Sequence, residues 1–259
     1  MSYETLLVEV SDDVALITIN RPDKRNALNA AVRRELLAAF DQLRTDDNAR
    51  VIIITGAGDK AFIAGADIAE FAERTPVQQR AVMAGRRIFD EVADFPKPVI
   101  AMINGYALGG GCELALACDV RVGSKSAKFG QPEIKLGIIP GGGGTQRLPR
   151  LIGSGHAMRL ILTGELIPAD EAVRIGLLDV LVDDAELQTR TFELARSMAA
   201  HSPLTLRLAK SAIRAAEEMP LAAGLAFERE MFITAFGSND KREGVAAFLE
   251  KRTANFTGS

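Results

Sequence analysis

The chain has 259 residues, 47% of them apolar, two cysteines and a formal net charge of -3. That length suits one large domain, or a compact domain with an appended helical part, with a core that needs no disulfide staples. Lys and Arg are spread along the chain rather than clustered, and no apolar stretch reaches the roughly 18 residues of a membrane span, so neither nucleic acid nor a membrane is expected as a partner.

The opening run Met1-Ser2-Tyr3-Glu4-Thr5 lacks the basic and apolar regions of a secretory leader. Two strands, Leu6 to Val10 and Val14 to Asn20, are expected around the turn Ser11-Asp12-Asp13, with the polar stretch Arg21 to Asn26 as a loop. Asn29 is placed to cap a helix through about Leu43, and Val51 to Thr55 is a continuous apolar run typical of a buried strand. The order then returns: a helix over about Val77 to Ala93, a strand from Val99 to Ile103, glycines, and a helix starting near Gly111. Such alternation indicates an α/β layer architecture. From His156 onward nearly everything reads as helix, broken at Pro168, Asp183-Asp184, Ser202-Pro203, Pro220 and Gly237 to Asp240. Cys112 and Cys118 lie six residues apart in one predicted helix, where a disulfide is geometrically poor, and this fits a reducing, cytoplasmic setting.

The chemistry is concentrated in three glycine-bearing loops, each expected to follow an apolar strand: Ala64-Gly65-Ala66-Asp67, Ala107 to Gly111, and Pro140 to Thr145. Loops after parallel strands are where α/β sheets bind ligands. Backbone N–H groups from the first two are placed to converge on one oxygen, helped by the positive end of the helix after Gly110; that is an oxyanion hole. Glu113 closes Gly109-Gly110-Gly111-Cys112-Glu113, and Glu133 follows Gln131-Pro132, ahead of the third loop. Two carboxyls in one apolar cleft are able to divide proton donation from water activation.

Each feature also has a plain structural reading. A glycine pair serves a tight turn, and either glutamate alone suits the first turn of a helix. Three loops and two acids together favour an enzyme. The third loop lacks the Lys-Ser/Thr ending of a nucleotide-binding P-loop, and Ile152-Gly153-Ser154-Gly155 lacks the first glycine of a nucleophile elbow. His156 and His201 have no partner at helical spacing, so no metal site is expected.

Taken together, Ala61 to Ile68, Asn104 to Leu114, and Phe129 to Glu133 through Gly144-Thr145-Gln146-Arg147-Leu148 resemble the crotonase (enoyl-CoA hydratase/isomerase) family. The resemblance runs from Asn20-Arg21-Pro22 to Glu250 to Phe256, essentially the whole chain. It implies an α/β fold, a spiral of ββα units over residues 1–200, followed by a helical trimerisation region over 201–259, assembled as a homotrimer or a hexamer of two trimers. It places the thioester oxygen on the N–H groups of Ala66 and Gly110, and true hydratases carry glutamates at the positions of Glu113 and Glu133. Water then lies between the carboxyls, with Gly141 N–H also orienting it, and addition gives a 3-hydroxyacyl-CoA.

For coenzyme A, which enters as part of the acyl-CoA substrate rather than as a prosthetic group, the resemblance carries over Lys60, Ala64 and Ile68. Phe232, Phe248 and Lys251 would come from an adjacent subunit. Many hydratases have a lysine where this chain has Ala69, so one phosphate contact is absent or supplied by Lys24 or Arg25. The alternatives are a 3,2-enoyl-CoA isomerase, which needs only one acid, a hydratase of dehydroadipyl-CoA in phenylacetate breakdown, and a non-catalytic member binding RNA or protein.

Overall fold

The computed structural model describes residues 3–259. Strands β1 (Leu6–Ser11) and β2 (Val14–Ile19) form an antiparallel hairpin in which Ser11 pairs with Val14. Ser11 is therefore strand, not turn. The two-residue turn is Asp12-Asp13, both at positive φ (52° and 62°), the left-handed pair that matches the twist of the strands. Asn29 caps helix α1 (Ala30–Thr45) by accepting from Val32 N–H at 2.9 Å. That helix buries Val32, Leu36, Ala39, Phe40 and Leu43, one face at helical spacing.

The chain then winds through a repeated ββα turn. The first strand of each turn joins a six-stranded sheet and the second, only three residues long, joins a four-stranded sheet. The pairs are β3 (Val51–Gly56) with β4 (Ala61–Ile63), β5 (Val99–Ile103) with β6 (Tyr106–Leu108), and β7 (Val120–Ser124) with β8 (Lys128–Gly130). The helices between them are α2 (Pro76–Ala84), α3 (Ile88–Ala93) and α4 (Gly110–Ala117). Within each sheet these strands pair in parallel, and β3 and β5 are buried along their whole length, as expected for strands covered on both faces. Ile52, Ile54, Val99 and Ala101 face the main core, whereas Val51, Ile53 and Ile100 pack on the opposite face.

Three expectations need correction. The helix expected over Val77 to Ala93 is two helices, because Gly85 and Arg87 adopt extended backbone between α2 and α3. The region after His156 is not all helix. Following α5 (Gly144–Ile152) and α6 (Ser154–Thr163), strand β9 (Leu166–Pro168) pairs antiparallel with β8, and after α7 (Ala169–Arg174) strand β10 (Val180–Val182) pairs with β7. Three residues show no periodicity, and their strand character comes from the neighbour that pairs with them. Finally, the third glycine loop follows a short 3-10 turn, Pro132–Leu136, not a strand.

Helices α8 (Leu187–Ala199), α9 (Pro203–Ala215), α10 (Leu221–Phe236) and α11 (Asn239–Glu250) complete the chain. α8 covers the second face of the large sheet through Leu187, Ala195 and Ala199. α9 is tied to the core by Lys210 and Arg214, which pair with Asp119 at 2.7 and 3.0 Å. α10 buries no residue and leaves Leu221, Leu225, Phe232, Ile233 and Phe236 exposed.

Candidate active site

Winding brings three loops from successive turns to one place. The loop after β4 is pinned by its neighbours: Leu28 N–H donates to Gly65 O at 2.9 Å, Asp67 N–H donates to Leu28 O at 3.0 Å, and Arg21 pairs with Asp67 at 3.1 Å. In such a parallel bridge the N–H of the intervening residue, Ala66, points the other way. Ala66 N lies beside the head of α4: a Cβ placed on Gly110 would be 3.6 Å from it. Neither Ala66 N–H nor Gly110 N–H donates to a backbone acceptor among the described residues. Gly111 permits this approach, since any Cβ there would come within 2.0 Å of Ile63 O.

Glu113 sits in the first turn of α4 and is 3% exposed. Its Oε1 accepts from two backbone donors of the third loop, Gly142 N–H at 2.6 Å and Gly144 N–H at 2.8 Å. Burial pushes its pKa up. The Gly144 and Gly142 N–H groups, and then the charges of Arg87 and Arg147, act in the opposite direction.

Glu133, in the 3-10 turn, has its pKa raised to about 7, chiefly by burial, with the negative charge of Glu113 adding to the rise. Gly109, at φ 49°, brings bare backbone against it; a Cβ there would sit 2.8 Å from Glu133 Oε1. With its amide nitrogen turned toward Glu133, the fully buried Gln131 donates to both carboxylate oxygens at 3.2 Å. Gly141 is exposed at the rim.

Five of the expected residues thus gather: Ala66, Gly110, Glu113, Glu133 and Gly141. Ala64 leads into the same loop, with Lys60 and Ile68 exposed on either side of it. Phe232, Phe248 and Lys251 are not brought to the loop within one chain; Phe232 and Phe248 are 65% and 83% exposed on α10 and α11. Lys251 ends α11 at φ 56°.

Gln131 and Arg147 stand inside the quoted glycine-loop motifs, where the sequence assigned neither a role, and Arg87 and Asp90 gave no signal beyond ordinary helix-surface charge. No group of three or more His, Cys, Asp or Glu side chains among the described residues is placed to hold a metal ion, and no helix among them is long and apolar enough to cross a membrane. Both cysteines are buried and unpaired.

Two adjacent N–H groups are suited to hold a developing oxyanion, and two neighbouring carboxyls of unequal environment are suited to move protons beside it. A family model described as enoyl-CoA hydratase/isomerase matches residues 9–259. The chain is 43% identical to a short-chain-enoyl-CoA hydratase of Clostridium acetobutylicum, over 97% of each chain. It is 46% identical to a 2,3-dehydroadipyl-CoA hydratase of Escherichia coli, over 98% of each. A crystal structure of enoyl-CoA hydratase from Bacillus anthracis, 42% identical, superposes with a TM-score of 0.94, covering 99% of this chain and 100% of that one. Fold, site geometry and sequence agree that the chain belongs to the enoyl-CoA hydratase/isomerase family.

Proposed function

We propose that the protein is an enoyl-CoA hydratase, adding water reversibly across the 2,3 double bond of a trans-2-enoyl-CoA. The observation that carries this is the pair of carboxyls, Glu113 and Glu133, beside the N–H groups of Ala66 and Gly110. The thioester oxygen accepts from those two N–H groups, which stabilise the enolate that forms as oxygen adds to C3. A donor fixed in this way contributes about 3 to 4 kcal/mol to the stability of an oxyanionic transition state.

Glu113, with two N–H donors on one oxygen, is the better carboxylate; it orients water with Gly141 N–H and takes its proton. Glu133, with a pKa of about 7, is protonated in an appreciable fraction at neutral pH and delivers a proton to C2. The hydroxyl ends on C3, a proton on C2, and the two acids exchange protonation states, to be reset through solvent. Double-bond migration needs one shuttle only, so the second acid favours hydration over the isomerase. The net charge of -3 argues against an RNA-binding role.

Lys60, Ala64 and Ile68 are the proposed contacts of the CoA moiety on the first loop. Phe232, Phe248 and Lys251 are proposed to reach it from an adjacent subunit. Residues 201–259 are the proposed oligomerisation region over the 1–200 core, in a trimer or a hexamer of two trimers. The apolar exposed side of α10 supports this, and the two free thiols support a reducing cytoplasmic setting. The test is loss of enoyl-thioester absorbance on adding crotonyl-CoA, with 3-hydroxybutyryl-CoA identified as product. Bound CoA thioester without loss of absorbance would overturn the reading for this substrate.

A further inference from the structure

The Gly141–Gly142 peptide is held at both ends. Gly141 O accepts from Arg87 Nη2 at 2.5 Å, and Gly142 N–H donates to Glu113 Oε1 at 2.6 Å. In a trans peptide the C=O and the following N–H point in opposite directions, so pulling the carbonyl outward aims the N–H inward. Arg87 therefore reaches Glu113 through one peptide unit without touching it.

The next carbonyl of the loop is held too, although the N–H of its own peptide, that of Gly143, is not one of the two donors to Glu113. Gly142 O accepts from Arg147 Nη1 at 3.0 Å, and Arg147 Nη2 donates to Asp90 Oδ1 at 3.1 Å. Asp90 Oδ2 lies 3.8 Å from Arg87 Nε, so this carboxylate bridges the two guanidiniums. Gly143 is required by its φ of 110°, and a Cβ there would also come within 2.3 Å of Arg147 Nη1 and displace the tip of that side chain. Arg87 also lies over the Phe89 ring, 5.9 Å from its centroid.

We propose that Arg87, backed by Asp90 and Arg147, is a positioning residue that fixes the carboxylate of Glu113 and keeps it ionised, acting through the glycine loop. The proposal rests on the reading of Glu113 as the carboxylate that activates water. Its parts come from the head of α3 and the first turn of α5, on either side of the loop. The charged and titratable groups around Glu113 are Arg87 and Asp90 from α3, Arg147 from α5, Glu133 from the 3-10 turn and Cys112 beside it on α4. The two arginines favour the carboxylate, and Glu133 opposes it. A charged donor on a peptide carbonyl also polarises its N–H, which strengthens the bond that N–H makes.

The test is an R87M variant, with R87K as the conservative change and R147M as an independent one on the second peptide. The ionisation of Glu113 is followed by carbon-13 NMR of its δ-carboxyl, assigned from an E113Q spectrum, beside the pH dependence of crotonyl-CoA hydration. Removing a cation raises a carboxyl's pKa, so the midpoint in R87M is expected to rise by about half a unit or more, and the acid limb of the rate profile to move to higher pH. kcat should fall roughly tenfold or more while KM changes little, as for a misplaced group that does not bind substrate. R147M should move the same way, and R87K should recover part of the loss. Folded R87M and R147M with the wild-type midpoint and kcat would overturn the proposal. A raised midpoint in a protein whose wild type does not hydrate crotonyl-CoA would support the bracket and overturn the hydratase reading instead.

Discussion

Gly142 and Glu113 are locked together: the backbone N–H of one donates to Oε1 of the other at 2.6 Å, and a Cβ on Gly142 would lie 2.6 Å from Glu113 Oε2 and 2.7 Å from the Phe89 ring. G142A must therefore displace the carboxylate or the ring. Turnover of crotonyl-CoA is expected to fall by about a hundredfold, the scale of a misplaced reacting group. The far-UV circular dichroism spectrum should be unchanged, because the clash lies at the site and Gly142 is not at positive φ.

E113Q and E133Q separate the two acids. Glutamine at 113 still offers an oxygen to Gly142 and Gly144, so the loop stays in place while the base is lost. Each variant should lose about 10²- to 10⁴-fold in hydration rate, the usual contribution of a positioned acid or base. Steady-state assays at saturating substrate check this, with E133Q losing proton delivery to C2 and hence deuterium incorporation there.

Glu133 also carries a stability signature. Its folded pKa is raised from 4.5 to about 7, so between those values the folded state binds more proton than the unfolded chain. Stability from this group is therefore present below pH 4.5 and is lost as pH rises toward 7. E133Q removes the burden of a buried charge, and after allowance for partial exposure it should stabilise the protein by on the order of 1 to 2 kcal/mol above pH 7. Thermal melts at pH 5 and pH 8 test the sign: the gain in Tm over wild type should be larger at pH 8.

Phe248 is 83% exposed in the isolated chain, so its truncation costs little packing within the subunit. If it meets CoA across a subunit boundary, F248A should raise the KM for crotonyl-CoA roughly tenfold, the loss from one buried aromatic contact, with kcat nearly intact. Sedimentation of both proteins checks that the assembly, expected at three or six chains, is retained.

Much of this was readable from the residues, and the reasons are local. Asn29 before an apolar helical face announces α1, and the unbroken apolar run from Val51 to Thr55 demands cover on both faces. The glycine loops and both glutamates stood out because glycine and a carboxyl in apolar surroundings each need a reason. β4, β6, β8 and β9 did not, because three residues carry no period and become strands only through pairing. The break at Gly85 was hidden inside a helical pattern. The bracket of Arg87, Asp90 and Arg147 was invisible for a different reason. Arg87 reaches a carbonyl more than 50 residues away and Arg147 a carboxylate on a helix of another turn, and side-chain type alone does not distinguish such an arginine from a solvated one.

The spiral makes each part of the chemistry separately addressable. Ala66 hangs from one turn, Gly110 and Glu113 from the next, and Glu133 with its glycine loop from the third, all meeting where the turns stack. On the proposed assignment, a substitution confined to the third turn would rewrite how protons are delivered while leaving the Ala66 and Gly110 N–H groups in place. On that assignment, the scaffold is suited to reactions that share an enolate and differ in what is done to it.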